Sequence, residues 1–93
     1  MHRRAAELLR SLRMEGHPEG GAYREIYRSP TAVQPQDRRH GRSALTVIYF
    51  LLADGQQSRW HRVQSDEVWQ HLEGAPLELF RIDPAETECQ KLL

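Results

Sequence analysis

One cysteine, Cys89, is all that the 93 residues contain. The chain therefore builds neither an internal disulfide nor a cysteine-based zinc site, which fits a reducing compartment, and a cytoplasmic location is expected. Charge of one sign is missing too: 13 Lys and Arg balance 13 Asp and Glu. Without a basic excess the chain lacks the electrostatic footprint that a phosphate backbone selects, so no nucleic-acid partner is expected. Long apolar runs are absent. The longest, Ala44 to Ala53, spans ten residues with Thr46 among them, against about 20 needed to cross a bilayer, so no membrane partner is expected. The basic start Met1-His2-Arg3-Arg4 is followed by neither an unbroken apolar stretch nor a small-residue cleavage site, as an export signal requires. Neither Gly-x-Ser-x-Gly nor a phosphate-binding Gly-rich loop occurs, so serine hydrolysis has no support.

What is present suits one folded domain over residues 1–93. Apolar residues at 39% and charged residues at 28% lie far from the composition of a disordered chain. A chain of this length buries only about 60 to 65% of its unfolded surface, so its core is thin and a homodimer is expected. Residues 1–15 read as a short N-terminal helix: Ala5, Leu8, Leu9 and Leu12 fall on one face, with Arg4, Glu7, Arg10 and Arg13 mostly opposite. Gly16 is expected to end it and Pro18 to prevent its return.

Residues 17–83 read as β structure, and 84–93 as a tail. Ala22 to Arg28 alternates with period two, placing Tyr23, Glu25 and Tyr27 on one face and Arg24, Ile26 and Arg28 on the other. Ser29 to Arg42 has no periodicity and reads as a long mobile loop. Ser43 to Leu52, rich in β-branched and aromatic residues, reads as a strand buried on both faces. Three short strands are expected at Arg59 to Val63, Glu67 to Leu72 and Leu77 to Ile82. With tight turns and no intervening helix they point to an all-β sandwich or barrel. Five strands leave open edges, so truncation or strand exchange is expected.

The densest reactive cluster runs from Ser58 to His71, with two histidines, two acids and two tryptophans. Strand alternation puts Arg59, His61 and Val63 on one face and Glu67, Trp69 and His71 on one face of the next strand. Directly opposed residues have Cβ atoms about 4.5 to 5.5 Å apart, near enough for His61 and Glu67 to share a metal or for the acid to orient the imidazole. Glu67 and His71 lie roughly 13 Å apart along a straight strand and do not share one ion. A catalytic metal normally takes three protein ligands, so a site of His61 and Glu67 is incomplete. Tyr23 and Glu25 are candidates to line a wet pocket, and Trp69 to stack against a ligand.

The stretches His17-Pro-Glu-Gly-Gly-Ala-Tyr-Arg-Glu-Ile-Tyr-Arg-Ser29 and Ser58-Arg-Trp-His-Arg-Val-Gln-Ser-Asp-Glu-Val-Trp69, with Gly74-Ala-Pro-Leu-Glu-Leu79, resemble a cupin family of mostly unassigned function. The resemblance covers about residues 17 to 83. It implies an all-β jelly-roll barrel with a short N-terminal helix, similar to the sugar-nucleotide 3,5-epimerases and usually dimeric. The general cupin motif has a His, a second His two residues on, a Glu, and a Gly seven residues later. Here these positions read His61, Val63, Glu67 and Gly74, so one expected metal ligand is replaced. The second cupin motif and several strands of the family would lie beyond Leu93, so the barrel is expected to be incomplete and the chain a fragment.

The expected function is binding of a small molecule, a sugar or a sugar nucleotide. Epimerase- or isomerase-like chemistry would use His61 as general base, Glu67 to orient it, and Tyr23 or Tyr49 as proton donor. Glu25, Arg59 and Trp69 are the expected ligand contacts. A non-catalytic binding cupin is the alternative, and a metal-dependent enzyme held by His61 and Glu67 is a further one; no cofactor is assigned.

Overall fold

The computed structural model describes residues 2–37, 39–82, 85 and 89–91, which fall into two compact units, Met1–Arg62 and Val63–Leu93. The chain is mostly β with one short N-terminal helix.

The first unit opens with α1 (Arg3–Ser11), whose inward face buries Ala5 and half-buries Leu8 and Leu9. His2 caps it, its Nδ1 accepting the Arg4 N–H at 3.1 Å and so satisfying one of the free donors of the first turn. Arg10 in the last turn meets the negative end of the helix dipole. The helix ends before Gly16, the expected stop. Arg13 takes the left-handed conformation at φ 51°, the Arg13 N–H donates to the Arg10 carbonyl at 3.3 Å, and the Met14 N–H reaches back to the Leu9 carbonyl at 3.0 Å. This is a Schellman closure carried by an arginine where glycine is usual. Gly16 is thereby left to pair in β1 (Glu15–Gly16).

β1, β2 (Ala22–Arg28) and β5 (Thr46–Leu51) form an antiparallel sheet in the order β1-β2-β5. Pairing runs Tyr23 to Phe50, Arg24 to Tyr49 and Glu25 to Ile48, then slips, so that Tyr27 meets Val47 and Arg28 meets Thr46. Ile26 is the extra residue of a β-bulge, and it breaks the expected alternation. Arg28 moves to the face of Tyr23 and Glu25, while Tyr27 moves to the face of Arg24.

Between β2 and β5 the chain is a small hairpin of β3 (Ala32–Val33) and β4 (Arg42–Ser43) rather than an unstructured loop. Ser43 fastens its base: Oγ donates to the Ser29 carbonyl at 2.8 Å. At the tip, the Asp37 carboxylate accepts from the Arg39 backbone N–H and from Nε, each at 2.9 Å. These contacts hold the Asp37 carboxyl below its usual pKa. β5 was expected to be buried on both faces. Instead Thr46 to Ile48 are exposed and Tyr49 to Leu51 half-buried, because three strands supply no second layer.

In the second unit, β6 (Phe80–Ile82) pairs antiparallel with β7 (Cys89–Lys91), fastened by Arg81 Nε donating to Gln90 Oε1 at 3.0 Å. β7 lies where a tail was expected. The strands expected at 59–63 and 67–72 do not form, and that at 77–82 shortens to β6. A strand exists by its ladder, and among the described residues none pairs with 59–72 to form one; Val68 is 96% exposed. Among the described residues the sheets have three, two and two strands, and their hydrogen bonds close no barrel. The expected β content is present, in separate sheets rather than in the closed jelly-roll barrel typical of the family that the sequence resembles. No described helix is long and apolar enough to cross a membrane.

Candidate functional site

The best-built polar constellation lies in the first unit, on the sheet face that carries Tyr23, Glu25 and Arg28. Opposed residues on antiparallel strands share a face, so the pairing sets its membership: Glu15 opposite Tyr23, Phe50 opposite Tyr23, and Ile48 opposite Glu25. The Glu15 carboxylate lies within hydrogen-bonding reach of the Tyr23 hydroxyl. This contact raises the phenol's pKa above its usual value, with the charges of Glu15 and Glu25 and partial burial adding to the shift. A phenol held this way is a weaker acid than a free tyrosine. Glu25 is gripped by Arg28 through two contacts of 2.7 and 3.2 Å, and the pair keeps the Arg28 guanidinium charged.

Over the end of this face folds the loop His17-Pro18-Glu19-Gly20-Gly21. It closes on itself through the His17 N–H to the Gly21 carbonyl at 2.9 Å and the Gly20 N–H to the His17 carbonyl at 3.1 Å. Both glycines need their missing side chains. Gly20 has φ 114° with a Cβ position overlapping the Gln57 carbonyl, and Gly21 has φ 78° with the Leu51 carbonyl 2.6 Å from where its Cβ would be. The His17 ring stands edge-on to Tyr23 and Phe50, each centroid 5.1 Å away. Its Nδ1 accepts the Glu19 N–H at 3.0 Å, which selects the tautomer with hydrogen on Nε2.

Arg59 fastens the loop to the segment that follows Gln57. Its backbone N–H donates to the Glu19 carbonyl at 2.7 Å, and its guanidinium Nη2 to the Pro18 carbonyl at 2.5 Å. The Arg59 carbonyl in turn lies 2.8 Å from Nδ1 of His61. A carbonyl only accepts, so His61 carries hydrogen on Nδ1 and presents a lone pair at Nε2. The two histidines flanking this brace thus hold opposite tautomers: His17 offers a donor at Nε2, and His61 an acceptor.

Among the expected site residues, Tyr23 and Glu25 come together, while Tyr49, opposite Arg24, lies on the other face of the sheet. Arg59, expected to meet a ligand, spends its guanidinium on the Pro18 carbonyl and positions the loop. Glu67 and Trp69 belong to the second unit and are exposed, on chain that forms no strand; there His71 Nε2 meets the Ala75 carbonyl at 3.1 Å. His17 was given no role on sequence grounds. The signal was its place two residues before the Glu19 amide, where a ring nitrogen caps a turn as an Asx side chain does. Among the described residues no three histidine, cysteine or acidic side chains gather as metal ligands. The described donor set does not fit a catalytic metal.

A family model described as Cupin superfamily (DUF985) matches residues 6–93. The match begins within α1 and runs through the last ten residues, so it extends past both ends of the stretch that carries the motif resemblance. No curated protein and no solved structure matches.

Proposed function

Since this chain belongs to the Cupin superfamily (DUF985), we propose that it binds a small molecule, a sugar or sugar-nucleotide-like ligand, and that His61 acts on it as general base in an epimerase- or isomerase-like proton transfer. The observation that supports this is the His61 tautomer. The Nδ1–H donates to the Arg59 carbonyl, which leaves the hydrogen on Nδ1 and the lone pair on Nε2 to receive a proton, as a general base requires. Glu67 as the orienting acid rests on the family motif alone. Tyr23, with its raised pKa, serves better to orient a ligand than to surrender a proton.

A second reading, binding without turnover, is favoured by that same weakened phenol, because it leaves turnover to depend on water rather than on a protein acid to return the proton. The metal-dependent alternative gains nothing from the donors described. We further propose a homodimer, supported by the exposure of Ile26, Tyr27, Val47 and Ile48 on the main sheet. Light scattering checks it; a monomeric mass at micromolar concentration overturns it.

The deciding experiment incubates the protein in deuterium oxide with a panel of sugars and sugar nucleotides and follows deuterium entering carbon positions next to carbonyls. Exchange that drops about a hundredfold or more in His61→Ala supports proton transfer. Binding with no exchange in the wild-type protein establishes the non-catalytic reading, and exchange indifferent to His61→Ala removes His61 from the mechanism.

A further inference from the structure

We infer that His17 is the hydrogen-bond donor of the ligand site, presenting Nε2–H to a carbonyl oxygen, and that the ligand is a neutral hydroxycarbonyl compound such as an open-chain sugar. This rests on the proton-transfer reading of His61 and adds the residue that receives the charge which His61 creates.

Three observations carry it. First, the Glu19 N–H on Nδ1 turns His17 into a one-sided donor, and its Nε2–H has no partner among the described residues. Second, the ring is held rather than loose: Tyr23 and Phe50 flank it edge-on, and the Gly20 and Gly21 backbone seats the loop against Gln57 and Leu51. A donor fixed before the ligand arrives needs no reorganisation when charge develops on its acceptor. Third, the Arg59 brace ties the His17 loop to the segment of His61, so donor and acceptor imidazoles belong to one hydrogen-bonded framework.

The ligand class follows from the charges. Glu15, Glu19 and Glu25 stand on or beside this face, Arg28 is occupied by Glu25, and the Arg59 guanidinium is turned to the Pro18 carbonyl. Such a setting disfavours a phosphate or carboxylate at the reacting end and suits a neutral molecule with both acceptor and donor oxygens. In the reaction, the C–H bond next to the carbonyl breaks, its proton goes to His61 Nε2, and the electron pair moves onto the carbonyl oxygen. The hydrogen bond from His17 strengthens as that oxygen becomes negative, the role a neutral imidazole performs in enolisation. The carbon then takes a proton from water on its other face, and His61 returns its own to water.

The test is the imidazole nitrogen spectrum of the nitrogen-15-labelled full chain, alone and with hydroxyacetone, methyl β-glucopyranoside or glucose 6-phosphate. The inference expects His17 as the Nε2–H tautomer and His61 as the Nδ1–H tautomer, with hydroxyacetone moving both Nε2 signals. His17 found as the Nδ1–H tautomer overturns it. A response at His61 without one at His17 overturns it while sparing the proton-transfer reading; silence of both histidines to every probe removes both readings. A response to the glucoside or the phosphate alone overturns the ligand class. Two variants separate donation from loop support, since both lose the Glu19 contact: His17→Gln keeps a donor at the Nε2 position, and His17→Phe keeps only the ring. Hydroxyacetone affinity within about threefold of wild type for Gln and down about tenfold for Phe supports donation. Equal losses in the two variants overturn it.

Discussion

Residues 17–21 with 57–61, and residues 63–79, solve the same problem in opposite ways. In the first stretch nearly every turn of the chain is fastened to something distant in sequence: Arg59 binds Pro18 and Glu19, and the glycines sit against Gln57 and Leu51. In the second the chain runs without a strand: His71 reaches only as far as the Ala75 carbonyl, and Glu78, at the end of the stretch, meets Lys91 of β7 at 3.2 Å. By residue type the second stretch, with Asp66, Glu67, Trp69 and His71, is the richer in chemistry. Geometry favours the first. Reactive side chains make a site only where the backbone that carries them is held, and holding comes from non-local hydrogen bonds and close backbone packing.

The sharpest way to break this comparison is to add one methyl group to a glycine in each stretch. Gly21→Ala forces a Cβ against the Leu51 carbonyl at φ 78°, whereas Gly74→Ala, at φ 100°, meets nothing within 4 Å. Chemical denaturation is expected to show a loss of about 2 to 4 kcal/mol for the first, from strain plus overlap, and about 1 to 2 kcal/mol for the second, from strain alone. Equal losses would mean that the His17 loop is no better held than residues 63–79.

Next in size is Arg59. Removing its guanidinium in Arg59→Ala leaves the Pro18 carbonyl to water and is expected to cost about 1 kcal/mol, a charged hydrogen bond discounted for its exposure. Arg81→Ala, which loses only the cross-strand contact to Gln90, is expected to stay within about 0.5 kcal/mol. The bond to His61 uses the Arg59 main-chain carbonyl, so the His61 nitrogen spectrum should be unchanged in Arg59→Ala. A flipped tautomer would show that the side chain, not the backbone, sets it.

The elements legible in the sequence were those with a period. α1 follows from Ala5, Leu8 and Leu9, and β2 and β5 follow from alternation and β-branched content. What escaped was whatever depends on a partner far along the chain. The bulge at Ile26 arises only when β2 is laid against β5, and it alone decides that Arg28 joins Glu25. Tyr23 and Tyr49 look interchangeable as proton donors until pairing puts them on opposite faces. Arg59 looks like a ligand contact because its engagement with Pro18 spans 41 positions. The strands expected at 59–63 and 67–72 had the right residue types, but strand propensity expresses packing against neighbours, and no ladder forms there.

A smaller effect is expected at the end of α1, where the chain accepts an arginine in a left-handed conformation. Arg13→Gly removes the Cβ penalty at φ 51° and keeps both closing hydrogen bonds. It is expected to raise the melting temperature through about 0.5 to 1 kcal/mol of stabilisation. Loss of stability would instead show that the Arg13 side chain holds the turn that delivers β1 to the sheet, and would extend the braced region back to the helix.

The finest test lies within the braced region itself. Glu15 is opposite Tyr23 because Gly16 pairs with Ala22, so the raised phenol pKa reports whether β1 is in place. A raised folded-state pKa contributes stability that is complete below the unfolded phenol's value and is lost as pH rises through the folded one. In an ultraviolet titration, where folding is intact, one tyrosine should therefore ionise above the normal tyrosine range, and Glu15→Gln should bring it down by removing both the carboxylate acceptor and its charge. If Glu15→Gln leaves that titration where it was, Glu25 and burial carry the shift instead, and the short β1 pairing does not control the face on which His17 and Tyr23 meet.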